Sequence, residues 1–215
     1  MDVTVFGGTG PTGRLVCEQA AQAGHSVRAV TRRAGPVDIP GNASVRVVRA
    51  DAQSGEGVEE AVTGADAVVS ALGTAYSRHE ITVYSEGVRH IVDGIRSEGR
   101  GRRLIVVSSG LTYPPAPMNW FADRVLFPLL RDVIGRTLYA DMRRMEEYLH
   151  TCPDIEWTVM RPGRLFDSDR VSDYRIDLDH PSGGYTARAD LAAAIVAELT
   201  SDEHLRQAVA PSTAR

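Results

Sequence analysis

The segment Phe6-Gly7-Gly8-Thr9-Gly10-Pro11-Thr12-Gly13 packs four glycines into seven residues, directly behind the apolar run Val3-Thr4-Val5-Phe6. Gly7, Gly10 and Gly13 fit the spacing G-x-x-G-x-x-G, and Gly8, Gly10 and Gly13 fit G-x-G-x-x-G. Glycine lets a chain turn tightly from strand to helix and lets backbone N–H groups approach a pyrophosphate. Pro11 suits a first helical turn, where its missing N–H is not needed. A helix opening there directs the positive end of its dipole at an anion. A glycine motif alone is weak evidence. This one follows a strand, precedes a helix and heads a β/α series, which is the context that makes it a nucleotide cradle.

Outward from the cradle, short β-rich runs alternate with helical patterns. Strands are predicted at Val3–Phe6, Ser26–Val30, Val45–Arg49, Ala67–Ser70, Leu104–Ser108 and Trp157–Met160. They are nearly continuous in Val, Ile and other apolar residues, as strands buried on both faces must be. Helices are predicted at Gly13–Ala23, capped by Gly24, and at Gly57–Thr63, Ile81–Ser97 and Asp141–His150. Alternation of this kind gives right-handed βαβ crossovers. The predicted fold class is α/β, a Rossmann-like doubly wound parallel β-sheet with helices on both faces. A chain of 215 residues fits one NAD(P)-binding domain spanning 1–215. Two breaks in the rhythm, around 111–136 and 163–187, are expected to supply substrate-pocket or lid elements. The first contains Tyr113–Pro117, which is too proline-rich for a helix interior, and the apolar stretch Asn119–Leu130.

Composition narrows the chemistry. A net charge of −4 and scattered arginines argue against a nucleic-acid partner. No apolar run reaches bilayer length and no signal-peptide pattern opens the chain, so no membrane partner and a cytoplasmic location are expected. Cys17 and Cys152 fit no metal-ligand spacing, and no metal is expected. The expected partner is a small-molecule substrate, with the chain a monomer or small homo-oligomer. Lysine is absent from the sequence, so a catalytic or Schiff-base lysine is excluded.

The second strand ends in Thr31-Arg32-Arg33, with no acidic residue to hold a ribose hydroxyl. Arginine offers a planar, permanently charged fork to a 2′-phosphate, so NADP(H) is favoured over NAD(H). Asp51-Ala52, after the third strand, is placed at the adenine edge. Leu72-Gly73-Thr74, after the fourth, is placed along the cofactor's middle.

The motifs GGTGPTG, Asp51, ALGT (Ala71–Thr74), SEGVRHIV (Ser85–Val92), VVSSG (Val106–Gly110) and MRPGRL (Met160–Leu165) together resemble atypical short-chain dehydrogenase/reductases. The resemblance is to the single-domain NAD(P)H-binding, NmrA-like group, and within it to the flavin reductase/biliverdin-IXβ reductase type. It covers nearly the whole chain and is weakest over Pro114–Arg136, which looks like an insertion. It implies NADPH hydride transfer. It places dinucleotide contacts on Thr9, Gly10, Pro11, Thr12, Arg32, Asp51, Ala52, Leu72, Gly73, Thr74, Ser108, Ser109 and Pro162, with Ser109 beside the nicotinamide.

The departures from the family pattern bear on chemistry. Short-chain dehydrogenases typically use Tyr-x-x-x-Lys, whereas this chain has Tyr139-Ala-Asp-Met-Arg143. Arginine can stabilise a tyrosinate but cannot shuttle a proton. Alignment on Glu146–Leu149 sets the related enzymes' lysine at Met142 rather than at position 143, which shifts the tyrosine's place off Tyr139. A substrate-side histidine of the biliverdin-type reductase falls at Gly163.

Four groups of candidate residues remain. Ser109 can bond a substrate carbonyl or the nicotinamide amide, or cap its own turn. Tyr113 is the expected proton donor, or a packing residue on a lid. Tyr76 and Tyr84 are expected to line the substrate pocket, where His79 can stand as a base or as a surface residue at a helix start. Arg161 and Arg164 can bind an acidic substrate group, or pair with Asp167 or Asp169. The stretch Trp120–Leu130 can be a lid, a subunit interface or a plain core helix. The expected function is an NADPH-dependent oxidoreductase acting on a small planar or carbonyl substrate. The competing readings are a redox-sensing regulator that binds NADP(H) without turnover, and an isomerase, epimerase or cyclase.

Overall fold

In the computed structural model, residues 1–33, 45–99, 101–114 and 120–214 are described. Ten strands and five α-helices are assigned among them. In chain order they are β1 (Asp2–Phe6), α1 (Pro11–Gln22), β2 (Ser26–Thr31), β3 (Val45–Arg49), α2 (Val58–Val62), β4 (Ala67–Ser70), α3 (Val83–Glu98), β5 (Arg103–Val107), α4 (Arg136–His150), β6 (Glu156–Met160), β7 (Arg164–Phe166), β8 (Tyr174–Leu178), β9 (Tyr185–Ala187), α5 (Arg188–Glu198) and β10 (Gln207–Thr213). Between β5 and α4, Ala122–Leu126 and Leu129–Ile134 adopt wide π-helical turns.

Eight strands form one sheet in the order β3-β2-β1-β4-β5-β6-β10-β8. All pair in parallel except β8, which runs antiparallel to β10 at the edge. β7 and β9 form a separate parallel pair. The sheet is therefore a doubly wound Rossmann-like sheet, and its strand order reverses between β1 and β4. Ligands of such sheets bind at that crevice, outside the carboxyl ends of the strands.

The six strands expected from apolar runs are all present, within a residue or so at each end. β4 is buried at every position, as its unbroken apolar character requires. Residues of α2, α3 and α4 pack on one face, with Val88, Ile91, Met145 and Leu149 in the core cluster. Residues of α1 and α5 pack on the other, with Val16, Ala20, Leu191 and Ile195. Gly24, at φ +85°, ends α1 in the left-handed conformation that its position required.

β10 carries a proline, which usually argues against a strand inside a sheet. Here β6 pairs only with Gln207–Val209, so the chain beyond has lost that neighbour. The Pro211 carbonyl accepts from the Thr186 hydroxyl at 2.6 Å. The N–H that Pro211 lacks would point the same way as that carbonyl, away from β8, so no ladder bond is forfeited.

The apolar stretch after the proline run is no core helix. Trp120 is 74% exposed, Phe121 59% and Val133 68%. Residues 115–117 of the proline run, and Asn119, lie outside the described residues.

Ile91 sits fully buried at the centre of α3 against the sheet. Its replacement by alanine is expected to cost about 2–5 kcal/mol, read as a lower midpoint in urea unfolding at an unchanged slope.

Candidate functional site

The cradle is built by backbone crowding. Gly7 has φ +76°, and a Cβ there would lie 2.4 Å from the Ala71 carbonyl oxygen. A Cβ on Gly13 would lie 2.1 Å from the Gly7 carbonyl oxygen. Only hydrogen fits at either place, so β1, its turn and α1 close to a separation no other residue allows. The Gly10 N–H donates to the Gly7 carbonyl at 2.9 Å and locks the turn. α1 opens at Pro11 with no side-chain cap and no acidic residue in its first turn. The positive end of the helix therefore faces the crevice without an internal anion, which fits the pyrophosphate of NAD(P)H.

The other predicted cofactor positions follow the carboxyl ends of successive strands. Arg32 and Arg33 come directly after β2 and are exposed. The Asp51 carboxylate accepts the Gln53 N–H at 2.9 Å, so part of its bonding capacity shapes its own turn. Ala52 is buried, with its carbonyl 2.8 Å from His90 Nδ1. Leu72 packs on the core, and Gly73 and Thr74 are exposed after β4. Pro162 is buried and its carbonyl accepts the Gly110 N–H at 2.8 Å, joining the loops that follow β5 and β6.

Three side chains differ from expectation because each is consumed internally. Ser108 is buried and its hydroxyl donates to Glu146 Oε1 at 2.5 Å, facing the core rather than a cofactor. Tyr84 is 4% exposed, with the Thr74 backbone near its hydroxyl. Burial pushes its pKa up to about 12, so it stays a neutral strut beneath the loop after β4 and lines no open pocket. Arg161 is also buried. Its guanidinium donates to Glu146 Oε2 from Nη2 at 2.5 Å and from Nε at 3.1 Å, and to Asp179 Oδ1 at 3.4 Å. Neither Asp167 nor Asp169 is its partner; Asp167 pairs instead with Arg188 at 2.7 Å. Arg164 is exposed at the start of β7.

Tyr113, the expected proton donor, lies with its ring 4.6 Å from the Arg161 guanidinium carbon, a cation–π contact. Burial holds its pKa above the ordinary tyrosine value, and the neighbouring Glu146 adds to the shift.

The tyrosine that sequence alignment set aside lies beside Tyr76 and near Ser109. Tyr139, in the first turn of α4, has its hydroxyl 3.1 Å from that of Tyr76. Gly135 makes this possible, since a Cβ there would stand 2.4 Å from the Tyr139 ring. Ser109 Oγ accepts the Leu111 N–H at 3.2 Å, which leaves its own proton free to donate. Burial, and then the hydrogen bond with Tyr76, raise the Tyr139 pKa; the Ser109 contact opposes them. Met142, where alignment put the lysine, is buried and takes a 3.6 Å contact from the Thr112 hydroxyl at its sulfur. The hydroxyl cluster comes from two loops and a helix start; Ser109 and Tyr76 carried a signal as residues after strand ends, and Tyr139 through the Tyr-x-x-x-Lys comparison.

Glu146 is 1% exposed and serves both Ser108 and Arg161. Glu146→Ala is expected to cost about 3–5 kcal/mol, because it strands the Arg161 charge in the interior. The double replacement Glu146→Leu/Arg161→Met is expected to cost less than the single one, and urea unfolding of the single and double variants checks this.

The profile of a family described as NAD(P)H-binding matches residues 7–202. An uncharacterized chloroplastic protein of Arabidopsis thaliana is 31% identical over 172 residues; the match covers 76% of this chain and 59% of that protein. A candidate NADH-flavin reductase from Streptococcus pneumoniae superposes with a TM-score of 0.79 at 21% identity, over 100% of both chains. A wide-type short-chain dehydrogenase/reductase from Veillonella parvula, solved in complex with NADP, superposes with a TM-score of 0.76 at 17% identity, over 98% of this chain and 94% of that one. At these identities the two structures speak for the fold. The family match accounts for the cradle as well, and the chain belongs to the NAD(P)H-binding family that its resemblance to NmrA-like short-chain dehydrogenase/reductases implied.

Proposed function

We propose that the chain is an NADPH-dependent reductase of a small planar or carbonyl substrate, with Ser109 and Tyr139 as the pair that meets the substrate oxygen. The observation that carries this reading is the placement of Tyr139 near Ser109 at the carboxyl edge of β5, with its hydroxyl 3.1 Å from that of Tyr76. When bound, the dinucleotide supplies a hydride from nicotinamide C4. The pyrophosphate would rest on the open end of α1, held by the amides around Thr9, Gly10, Thr12 and Gly13. The 2′-phosphate would lie against Arg32 and Arg33, and the nicotinamide near Ser109 and Pro162.

In carbonyl reduction the substrate oxygen gains negative charge as hydride arrives at carbon. Tyr139 then gives its proton to that oxygen, and Ser109 donates a hydrogen bond. The raised pKa keeps Tyr139 protonated and therefore ready to act as an acid. An alkoxide is more basic than a phenolate, so the transfer remains downhill. The place the sequence reading gave to Tyr113 passes to Tyr139, because the Tyr113 ring is engaged by Arg161. A planar acceptor such as a flavin, tetrapyrrole, quinone or enone relies more on positioning in the crevice than on a proton donor. The name of the Streptococcus pneumoniae relative supports including flavins.

The test is NADPH oxidation, followed by absorbance, against flavins, tetrapyrroles, quinones, enones and simple ketones, with NADH in parallel. Tyr139→Phe is expected to lower kcat for a carbonyl substrate by about 10²–10⁴-fold while NADPH affinity holds. Arg32→Ala/Arg33→Ala is expected to weaken NADPH by roughly 10- to 100-fold and to leave NADH nearly unchanged, measured by cofactor fluorescence titration. Absence of oxidation with every acceptor would count against the reductase reading.

A further inference from the structure

Tyr139 must be reprotonated after each turnover, yet it is 4% exposed. The family implied by the resemblance places a lysine four residues beyond its tyrosine. This chain contains no lysine, and position 143 is arginine. The Arg143 guanidinium donates from Nη1 to the Thr112 carbonyl at 2.9 Å, and arginine does not release protons. A second, exposed hydroxyl stands beside Tyr139. The Tyr76 hydroxyl lies 3.1 Å from the Tyr139 hydroxyl, and Tyr76 is 55% exposed. The two rings meet edge to face, with centroids 6.4 Å apart.

Tyr76 is held there by bonds that do not pass through its own hydroxyl. Thr137, two residues before Tyr139, donates its hydroxyl to the Ser77 carbonyl at 2.6 Å. Arg144, further along α4, donates to the Ile81 carbonyl at 2.7 Å and to Glu80 Oε1 at 3.1 Å. The loop after β4 is thus fastened to the helix that carries Tyr139. Its one outward-facing tyrosine lands on the buried one.

We propose that Tyr76 is a proton-relay residue, acting through Tyr139 and carrying protons to it from solvent. This rests on the reading of Tyr139 as the proton donor. In the balanced sequence, hydride from NADPH forms a C–H bond at the carbonyl carbon. The C=O π pair moves to oxygen, which takes the Tyr139 proton. The Tyr139 phenolate then takes the Tyr76 proton, and Tyr76 takes one from water. The sum is NADPH, the carbonyl compound and one proton giving NADP⁺ and the alcohol. Either hydroxyl can be the donor across the Tyr76–Tyr139 contact, and once Tyr139 has given its proton to substrate its oxygen is free to accept from Tyr76.

The relay is tested on the protein without cofactor, by measuring hydroxyl-proton exchange with water. Tyrosine is labelled with ¹³C at Cζ, and the hydrogen/deuterium isotope shift is followed in mixed H₂O and D₂O. The Tyr139 line is assigned by its loss in Tyr139→Phe. Tyr76→Phe keeps the ring and removes only the hydroxyl, and is expected to slow exchange at Tyr139 by about tenfold or more. Tyr76→Ala uncovers Tyr139 to water and is expected to restore the fast exchange. Unchanged exchange in Tyr76→Phe would overturn the relay, as would slowing confined to Ser109→Ala, which would assign the path to the serine. With a carbonyl substrate, Tyr76→Phe is further expected to lower kcat and enlarge the solvent deuterium isotope effect with little change in KM. If the wild type oxidises NADPH with no acceptor, the reductase reading fails, while the exchange measurement still decides whether Tyr76 carries the proton.

Discussion

The carboxylate of Glu146 is the point on which the site turns. It is nearly fully buried on α4, and three groups converge on or near it. The Ser108 hydroxyl comes from the end of β5, the Arg161 guanidinium from the end of β6, and the Tyr113 ring lies against that guanidinium. A buried carboxylate is tolerated only when it is paired and hydrogen-bonded. Meeting that requirement brings α4 and the ends of β5 and β6 to fixed places. Tyr139 lies two turns earlier on the same helix, on the face that also buries Met142 and Glu146. Fixing Glu146 therefore sets the height of Tyr139 above the sheet edge. Arg161 extends the constraint to Asp179, whose backbone is left-handed at φ +62°.

The opposite edge of the sheet shows what a polar network without a crevice looks like. Arg103, at the start of β5, donates to the Glu198 backbone carbonyl and carboxylate and to the Thr158 hydroxyl. His204 lies 2.7 Å from the same carboxylate. Arg103, Glu198, Thr158 and His204 each have an internal partner there. At the carboxyl edge the glycine turn leaves the end of α1 without a side-chain cap. Gly7 and Gly13 close that turn, since a Cβ on either would collide with neighbouring backbone.

The central strands were legible in the sequence because burial on both faces leaves little choice of residue. Val, Ile and Ala had to run nearly unbroken through β1, β4 and β5. The same logic hid α5. Its stretch Arg188–Glu198 is rich in alanine, and alanine serves a buried and an exposed face alike, so no period marked it. β10 escaped because its proline signalled a break that the end of the β6 pairing renders harmless. At the site, the motif fixed the strand ends but not the rotamers. Ser108 and Ser109 are adjacent serines at one strand end, and nothing local says which faces the core. Their separation is set by Glu146, an unlabelled member of a helical pattern 38 residues away from Ser108.

The case of Tyr139 shows how a motif and a fold can weigh the same residue differently. Reading Tyr-x-x-x-Lys as a unit made the missing lysine an argument against the tyrosine. Alignment on Glu146–Leu149 then moved the expected lysine to a methionine. Yet what places a tyrosine beside Ser109 is the packing of α4 on β5 and the space left by Gly135, and neither depends on the residue four positions later. The lysine and the tyrosine do separable work: one moves protons and the other meets the substrate. Once the first task is open to any exposed hydroxyl in reach, a chain can dispense with lysine entirely. The loop after β4 supplies such a hydroxyl because it is already tied to α4 by Thr137 and Arg144. On the proposed relay, the residues that hold the loop set where the proton enters, although none of them needs to touch the reacting atoms.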